Sequence, residues 1–581
     1  MMMNKFFHTR SLPLLKGLQV SQFEAAVQRL ASFTAKNIIQ ETSDEAGTLL
    51  ARFAKHVALE LQKDTPIIAT AIRYADYFPI TDTRYLQKEL TRISPDQLPA
   101  LIVFAFTYRP SADPKKYAAL LNELDATAVQ LLPNMDLNTI LRTLYAFLYL
   151  MPNWIMRIDF YKAAMQRVTS HEILVALTKE KFVQICFYLG LEKNRKENAG
   201  LFQELLSRYL ELYLPKLSTL DLVMVGNAAF KTSTYVDSKA YNQRLIDEVL
   251  KLSFNESSND VLLVTLIKAM RLQRVHSEEV CKHLTALCNE IFLERFQIRG
   301  CVHIFAYLAD NLWDERNALE CLVKHCLPRL RRENARCKDI ATFLWCCAQL
   351  NCNLSQKDLE QIEILLINKV NQNEFRNFVD QLVDSCLSLW ILGNRSRVLL
   401  ETVIDLKMSS LCNNKNKQCE QPKVESRFQV LTSAIAIEEP TWRFKNIKVP
   451  TKPKVDTIAP SYLLKDRNNL VDLARKIEEY STVASAKLVC PVNGINIPSV
   501  LVSFNEPTNS NMFLELLPED LELHFSKTPN GLMRLKIRLL KVLRYRVTTL
   551  PEKQYEKDGD LGYLVCNSGG DTTPKLQSLK V

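Results

Sequence analysis

The residues of this chain that could do chemistry are mostly cations. Arg534, Lys536, Arg538, Lys541, Arg544 and Arg546 lie within one short stretch, and Arg329, Arg331 and Arg332, followed by Arg336 and Lys338, crowd another. Guanidinium and ammonium groups at this density suit phosphate oxygens, and a polyanion held by several of them binds with an affinity that falls steeply with salt. Glu515, Glu519, Asp520 and Glu522 stand against the first group, so part of its charge can be satisfied internally. Other chemistry is poorly supplied. His283 with Cys281 and Cys288, and His325 with Cys321 and Cys326, lie on amphipathic patterns without a second ligand pair, so they read as core packing and no metal is assigned. The chain has no Gly-rich loop, His-Arg-Asp catalytic loop or Asp-Phe-Gly motif, which excludes protein kinase chemistry. No cofactor is implied, and no catalytic residue is assigned.

The elements that must position these cations follow from local pattern. Val500 to Phe504 is an apolar run with strand propensity, ended by Asn505, Glu506 and Pro507. Gly531 to Arg546 predicts a basic amphipathic helix, with Leu532, Leu535, Leu539 and Val542 on one face and Arg534, Arg538 and Lys541 on another. Tyr545 to Leu550 alternates as a strand stopped by Pro551, and Tyr555 follows. Upstream, Leu470 to Ile477 predicts a short helix, Ala486 to Cys490 a strand, and Asn493-Gly494 a turn.

The remainder should be helical. Only 13 glycines among 581 residues, with 47% hydrophobic residues, leave few of the permissive positions that β-rich folds spend on turns. Apolar helix starts recur at Pro99, Leu137, Phe182, Leu220, Val261, Cys301, Ile340 and Val379, a step of roughly 40 residues that predicts stacked helical hairpins in an α-solenoid. The 15 cysteines include no Cys-x-x-Cys pair and read as free thiols in a reducing compartment. A formal charge of +10 permits polyanion binding without requiring it. Thr143 to Met156 is the most apolar stretch, too short to cross a bilayer and interrupted by Pro152 and Asn153, so no membrane span is expected. The first 40 residues set Lys5, Arg10, Lys16, Arg29 and Lys36 against Glu24 and carry an apolar side, the composition of a mitochondrial transit peptide.

The C-terminal stretch resembles the RAP domain: Leu535, Lys536, Arg538, Leu540, Tyr545, Val547 and Tyr555 match its pattern. RAP domains are similar to the restriction-endonuclease fold, whose strand carboxylates hold a divalent metal for phosphodiester cleavage. At the aligned positions this chain has Pro498, Ser503 and Asn505, and Arg544 replaces the usual glycine. Asp339 to Leu350 resembles the core of the first FAST homology region, and Val430 to Trp442 the signature of the second, with Glu439 in place of Cys and Trp442 in place of Tyr. A solenoid followed by two FAST regions and a RAP domain is the layout of the FAST kinase domain-containing family of mitochondrial RNA-binding proteins.

The expected organisation is therefore a mostly α chain ending in a small α/β RAP domain: 1–40 transit peptide, 41–335 helical repeat array, 336–408 and 425–485 FAST-like regions, 486–565 RAP-like domain and 566–581 a disordered tail. The resemblance implies residence in the mitochondrial matrix and post-transcriptional work on mitochondrial mRNA (processing, stability or translation). Its partners would be single-stranded mitochondrial RNA and other RNA-processing proteins, without DNA. Two alternatives stay open: a RAP endoribonuclease with a divalent metal, using a carboxylate such as Glu506 or Glu515, and a scaffold that touches only proteins.

Overall fold

The computed structural model describes residues 90–91, 93–105, 114–150, 155–168, 176–192, 196–252, 258–413, 421–444, 455–505 and 511–556. The expected transit peptide, the expected tail and Glu506 lie outside the described residues. The chain is mostly helical, with one small mixed sheet near its C-terminus, and divides into two compact units at Val275.

The first unit contains α1 (Leu98–Ala105), α2 (Pro114–Leu131), α3 (Leu137–Leu150), α4 (Asp159–Val168), α5 (Lys179–Leu189), α6 (Lys196–Tyr213), α7 (Thr219–Thr232), α8 (Lys239–Lys251) and α9 (Ser258–Gln273). Helices here pack on the next but one: α1 on α3, α2 on α4, and α5, α7 and α9 in series. Proline supplies the breaks. α2 and α6 each run into a Leu-Pro pair, Leu132–Asn134 and Leu214–Lys216, which form single tight turns because proline offers no N–H to continue the ladder. The following helix then restarts on a side-chain cap. Thr139 N donates to Asp136 Oδ1 at 2.8 Å before α3, and Ser218 and Asp221 form a capping box before α7.

The second unit continues with α10 (Glu278–Leu287), α11 (Glu290–Glu294), α12 (Ile298–Asp310), α13 (Arg316–Arg332), α14 (Cys337–Gln349), α15 (Gln356–Asn371), α16 (Val379–Ile391), α17 (Arg397–Asn413) and α18 (Gln421–Glu438). α10, α12, α14, α16 and α18 pack in series, while α11 packs on α13 and α15 on α17. After α19 (Ser461–Leu464) and α20 (Asn468–Glu478) comes the sheet: β1 (Val483–Val489), β2 (Ser499–Phe504), β3 (Met512–Leu517), then α21 (Gly531–Val542), β4 (Arg546–Pro551) and α22 (Glu552–Tyr555). The strands lie in the order β1-β2-β3-β4; the first three are antiparallel, and β4 runs parallel to β3 because α21 carries the chain back across the sheet.

Side-chain alternation explains why β2 and β3 read as continuous apolar runs. Val500, Val502, Met512, Leu514 and Leu516 face α20 and pack on Leu470, Leu473 and Ile477. Leu501 and Phe513 face the other way, against Leu540 of α21. Both faces are covered, so both registers must be apolar. The module also reaches back before position 486, since α20 supplies four of the twelve buried residues on one face of the sheet and Ile458 bridges to Val489 on the edge of β1.

Three local expectations shift. β1 begins at Val483 rather than Ala486. α21 ends at Val542, and Arg544, held in the left-handed region at φ 66°, reverses the chain into β4. The buried side of α21 is Met533, Leu535, Lys536, Leu539 and Leu540, whereas Val542 is exposed, because the helix is covered on two sides instead of one. One cover is the sheet. The other is the set of helices α14, α16 and α18, against which α21 packs.

Candidate nucleic-acid interface

α21 starts at Asn530, whose side-chain oxygen accepts from Met533 N at 3.1 Å. Gly531 follows because it meets the end of α14: a Cβ there would collide with the Ala348 carbonyl, its carbon only 2.7 Å away. Asn351 Nδ2 donates to the Pro529 carbonyl at 2.9 Å, tying the loop before α21 to the turn after α14. The predicted cationic helix is thus docked into the ends of helices.

That docking consumes cations. Arg538 donates to both carboxylate oxygens of Glu438 (2.8 and 3.3 Å) and to the carbonyls of Trp390 and Ile391 (2.8 and 3.0 Å). It joins α21 to α18 while satisfying the last carbonyls of α16. Glu438 also accepts from Trp390 Nε1 at 2.6 Å and faces Arg395 at 3.3 Å. Arg538 was expected to face RNA; it is a structural clamp.

Lys536 needs a larger correction. It is fully buried, its Nζ 2.7 Å from Glu515 Oε2 and 2.9 Å from the Ile497 carbonyl, and Ser499 Oγ donates to the other Glu515 oxygen at 2.8 Å. Burial pushes the Glu515 carboxyl above its ordinary range and the Lys536 ammonium below its own, while the pairing opposes both shifts. No polyanion can reach this ammonium. The helical spacing held the signal, since Met533, Lys536 and Leu540 share one stripe at i, i+3 and i+7.

The second group divides in the same way. Arg329 is buried and bonded to Glu333 Oε1 at 2.5 Å and to the carbonyls of Leu293 and Phe296, so it is removed from the contact set. Arg336 forms a fork on Asp339 at 2.9 and 3.0 Å. Arg331 and Arg332, at the end of α13, are exposed. In the α/β module Arg534, Lys541 and Arg544 are exposed and Arg546 is half-buried. None of these six side chains has a hydrogen-bond or ion-pair partner among the described residues.

The positions aligned with metal-binding carboxylates fit a divalent cation poorly. Asn505 Nδ2 donates to the Ser481 carbonyl at 2.8 Å, and Ser503 is half-buried opposite Ser485. Among the described residues the strands carry one carboxylate, Glu515, and it already holds an ammonium and a hydroxyl on its two oxygens. A cation would have to displace Lys536 to reach it. Among the described residues no three His, Cys, Asp or Glu side chains gather as a metal site. Burial raises the thiols of Cys281 and Cys288, near His283, to about 12 and also raises Cys321, near His325, which keeps them protonated and poor ligands.

A second docking contact was not anticipated. Trp313 stacks on His524 (centroids 4.2 Å apart) and meets Phe525 edge-on, while Asp314 accepts from the backbone N–H groups of Phe525 and Ser526 at 2.6 and 3.0 Å. No helix of the described residues is long and apolar enough to cross a membrane. No protein-family model matches the sequence, and no curated protein matches it.

Proposed function

We infer that this chain is an RNA-binding protein of the FAST kinase domain-containing type, acting on single-stranded mitochondrial transcripts without cutting them. The helices stack as an α-solenoid, a reading supported by next-but-one packing in each unit. The order helix, three strands, helix, strand, with β4 parallel to β3, supports a RAP module of the restriction-endonuclease kind. The observation that carries the functional reading is the set Arg534, Lys541, Arg544 and Arg546, which leaves its charge unspent on a helix and turn whose other cations are fully engaged. Unpaired cations on a rigidly docked scaffold are what a phosphate backbone needs. The sealed Glu515–Lys536 pair supports a binding role over hydrolysis.

The test is the affinity of the full chain for a labelled single-stranded RNA across a salt series. Each phosphate contact contributes a slope of about −0.7 in log affinity against log salt. Neutralising Lys541, Arg544 and Arg546 together should weaken binding and flatten the slope by about 2, at about 0.7 per contact. An unchanged slope rejects this surface and leaves Arg331 and Arg332 as the next to neutralise. Site-specific, EDTA-sensitive cleavage would overturn the non-catalytic part, and a tagged full chain that stays outside mitochondria would overturn the localisation.

A further inference from the structure

Two backbone bonds close the end of α21 and fix the residue that leaves it. Tyr545 N donates to the Leu540 carbonyl at 3.1 Å and Arg544 N to the Lys541 carbonyl at 2.9 Å, a paired closure that requires a left-handed residue just past the helix. Glycine takes that conformation without strain. Here Arg544 takes it, at φ 66°, which sets an exposed guanidinium directly beside Tyr545. Tyr545 is half-buried, and its ring meets Phe513 of β3 edge-on, with centroids 5.0 Å apart and planes at 76°. Together with Val547 it packs on the cluster of Leu501, Phe513 and Leu540. Phe513 is fully buried and β4 is an edge strand, so the core holds the inner side of the tyrosine while the rest of the ring stays open to solvent. The hydroxyl has no hydrogen-bond partner among the described residues.

Three other rings in or beside the module are engaged by the protein itself. Tyr555 donates its hydroxyl to Asp472 at 2.6 Å and carries the Lys476 ammonium 5.0 Å over its ring. Phe525 lies against Trp313, and Trp442 has the Arg397 guanidinium 6.0 Å from its ring centroid. Tyr545 instead stands among Lys541, Arg544 and Arg546, whose charges have no partner among the described residues. A ring held rigid between unspent cations is complementary to a nucleotide, which offers a second π-face and negative phosphates on either side of it. Resting on the RNA-binding reading above, we propose that Tyr545 is the stacking platform for one unpaired base of the transcript, with Lys541 and Arg544 on the phosphates that flank that base. The surface then selects single strands, because a base inside an A-form duplex is stacked on both faces by its neighbours and cannot lie on the ring.

The two halves of this contact answer to different variables. Stacking adds affinity without releasing counterions, so it shifts log affinity by the same amount at every salt concentration, whereas each phosphate contact changes the slope. The ring is also preorganised: the helix-end bonds and Phe513 hold it before a ligand arrives, so little rotamer freedom is lost on binding. Leucine at this position keeps apolar packing on Leu540 and Phe513 and removes the π-face. Phenylalanine keeps both.

The experiment titrates the full-length protein across a salt series with a labelled oligouridylate and with a sugar-phosphate backbone of equal length that carries no bases. Wild type should hold the oligouridylate more tightly. Tyr545→Leu should lower that affinity by about fivefold to 150-fold, the worth of one stacked base, with the salt slope unchanged and the base-free backbone bound as before. Tyr545→Phe should bind like wild type. On the wild-type protein, a thiouridine-substituted oligonucleotide should photocrosslink at Tyr545, a readout that needs no variant to fold. The proposal is overturned by a crosslink found only elsewhere, by equal losses on the two ligands, by Tyr545→Phe as weak as Tyr545→Leu, or by a duplex that competes as well as the single strand. Wild-type binding that is steep in salt but equal for the two ligands rejects the base contact and keeps the RNA reading. A wild type that binds neither ligand rejects the RNA reading and this proposal with it.

Discussion

Replacing Lys536 by Met removes the cation from a fully buried ion pair and leaves the Glu515 carboxylate between β3 and α21 with one hydroxyl partner. Removing one member of a buried pair costs about 3–5 kcal/mol, because the remaining charge cannot be hydrated. A chain with two units is not expected to unfold in one step, so the assay is hydrogen exchange read on peptides of β2, β3 and α21. Their opening free energy should fall by about 3–5 kcal/mol, an acceleration of roughly two to three and a half orders of magnitude. Helices of the first unit should be unaffected. In the double variant Lys536→Met, Glu515→Leu the orphaned charge is gone. Ser499 and the Ile497 carbonyl each lose one bond worth about 1 kcal/mol, so stability should return to within about 2 kcal/mol of the wild type. The pH sign is also defined. Burial already raises Glu515, and without Lys536 the native state binds a proton that the unfolded chain releases, so stability rises as pH falls. The single variant's deficit should therefore shrink as pH falls towards the ordinary carboxylate range. A single variant within about 1 kcal/mol of wild type, or a double variant no better than the single, would refute the buried-pair account.

Arg538→Ala should loosen α21 from α18 and the end of α16, costing about 2–4 kcal/mol by leaving Glu438 and two carbonyls underbonded, read as faster exchange in both elements; a change no larger than for Lys541→Ala would mean Arg538 is not a clamp. Arg544→Gly relieves a left-handed backbone worth about 1 kcal/mol for an L residue and removes an unpaired cation, so the protein should become more stable while its RNA affinity drops. Loss of both, or of neither, contradicts that separation. Asp384 is pushed up to about 6, chiefly by burial, with Arg427 2.7 Å away opposing the shift and Asp380 adding to it. Its native state holds the proton more tightly, so this contribution to stability is present at acid pH and is lost as pH rises from the unfolded value to about 6. Asp384→Asn should therefore stabilise at neutral pH by up to about 3 kcal/mol, at about 1.36 kcal/mol per unit, and flatten the acid limb of thermal denaturation; equal destabilisation at all pH values would show that the Arg427 pair dominates.

Much of this protein is determined locally and was legible in its sequence. Scarce glycine and apolar residues at helical spacing give the helices, while the apolar run at Val500 and the alternation from Tyr545, each closed by a breaker, give strands, because backbone conformation follows from side-chain pattern and turn chemistry within a few residues; β3 at Met512–Leu517 was not read from the sequence. The Leu-Pro pairs at 132 and 214 carried a further break signal that the apolar periodicity alone did not use. What only the tertiary structure decided is which cations remain available. Arg538 and Lys541 look alike on a helical wheel, yet one meets Glu438, a hundred residues away along the chain, and the other meets nothing described. Periodicity reports that a residue lies on a face of its own helix; it carries no information about a second surface arriving from elsewhere. α21 has two such surfaces, so Lys536 and Arg538 were drawn inward, and the charge left outside depends on where distant carboxylates and helix ends happen to meet it.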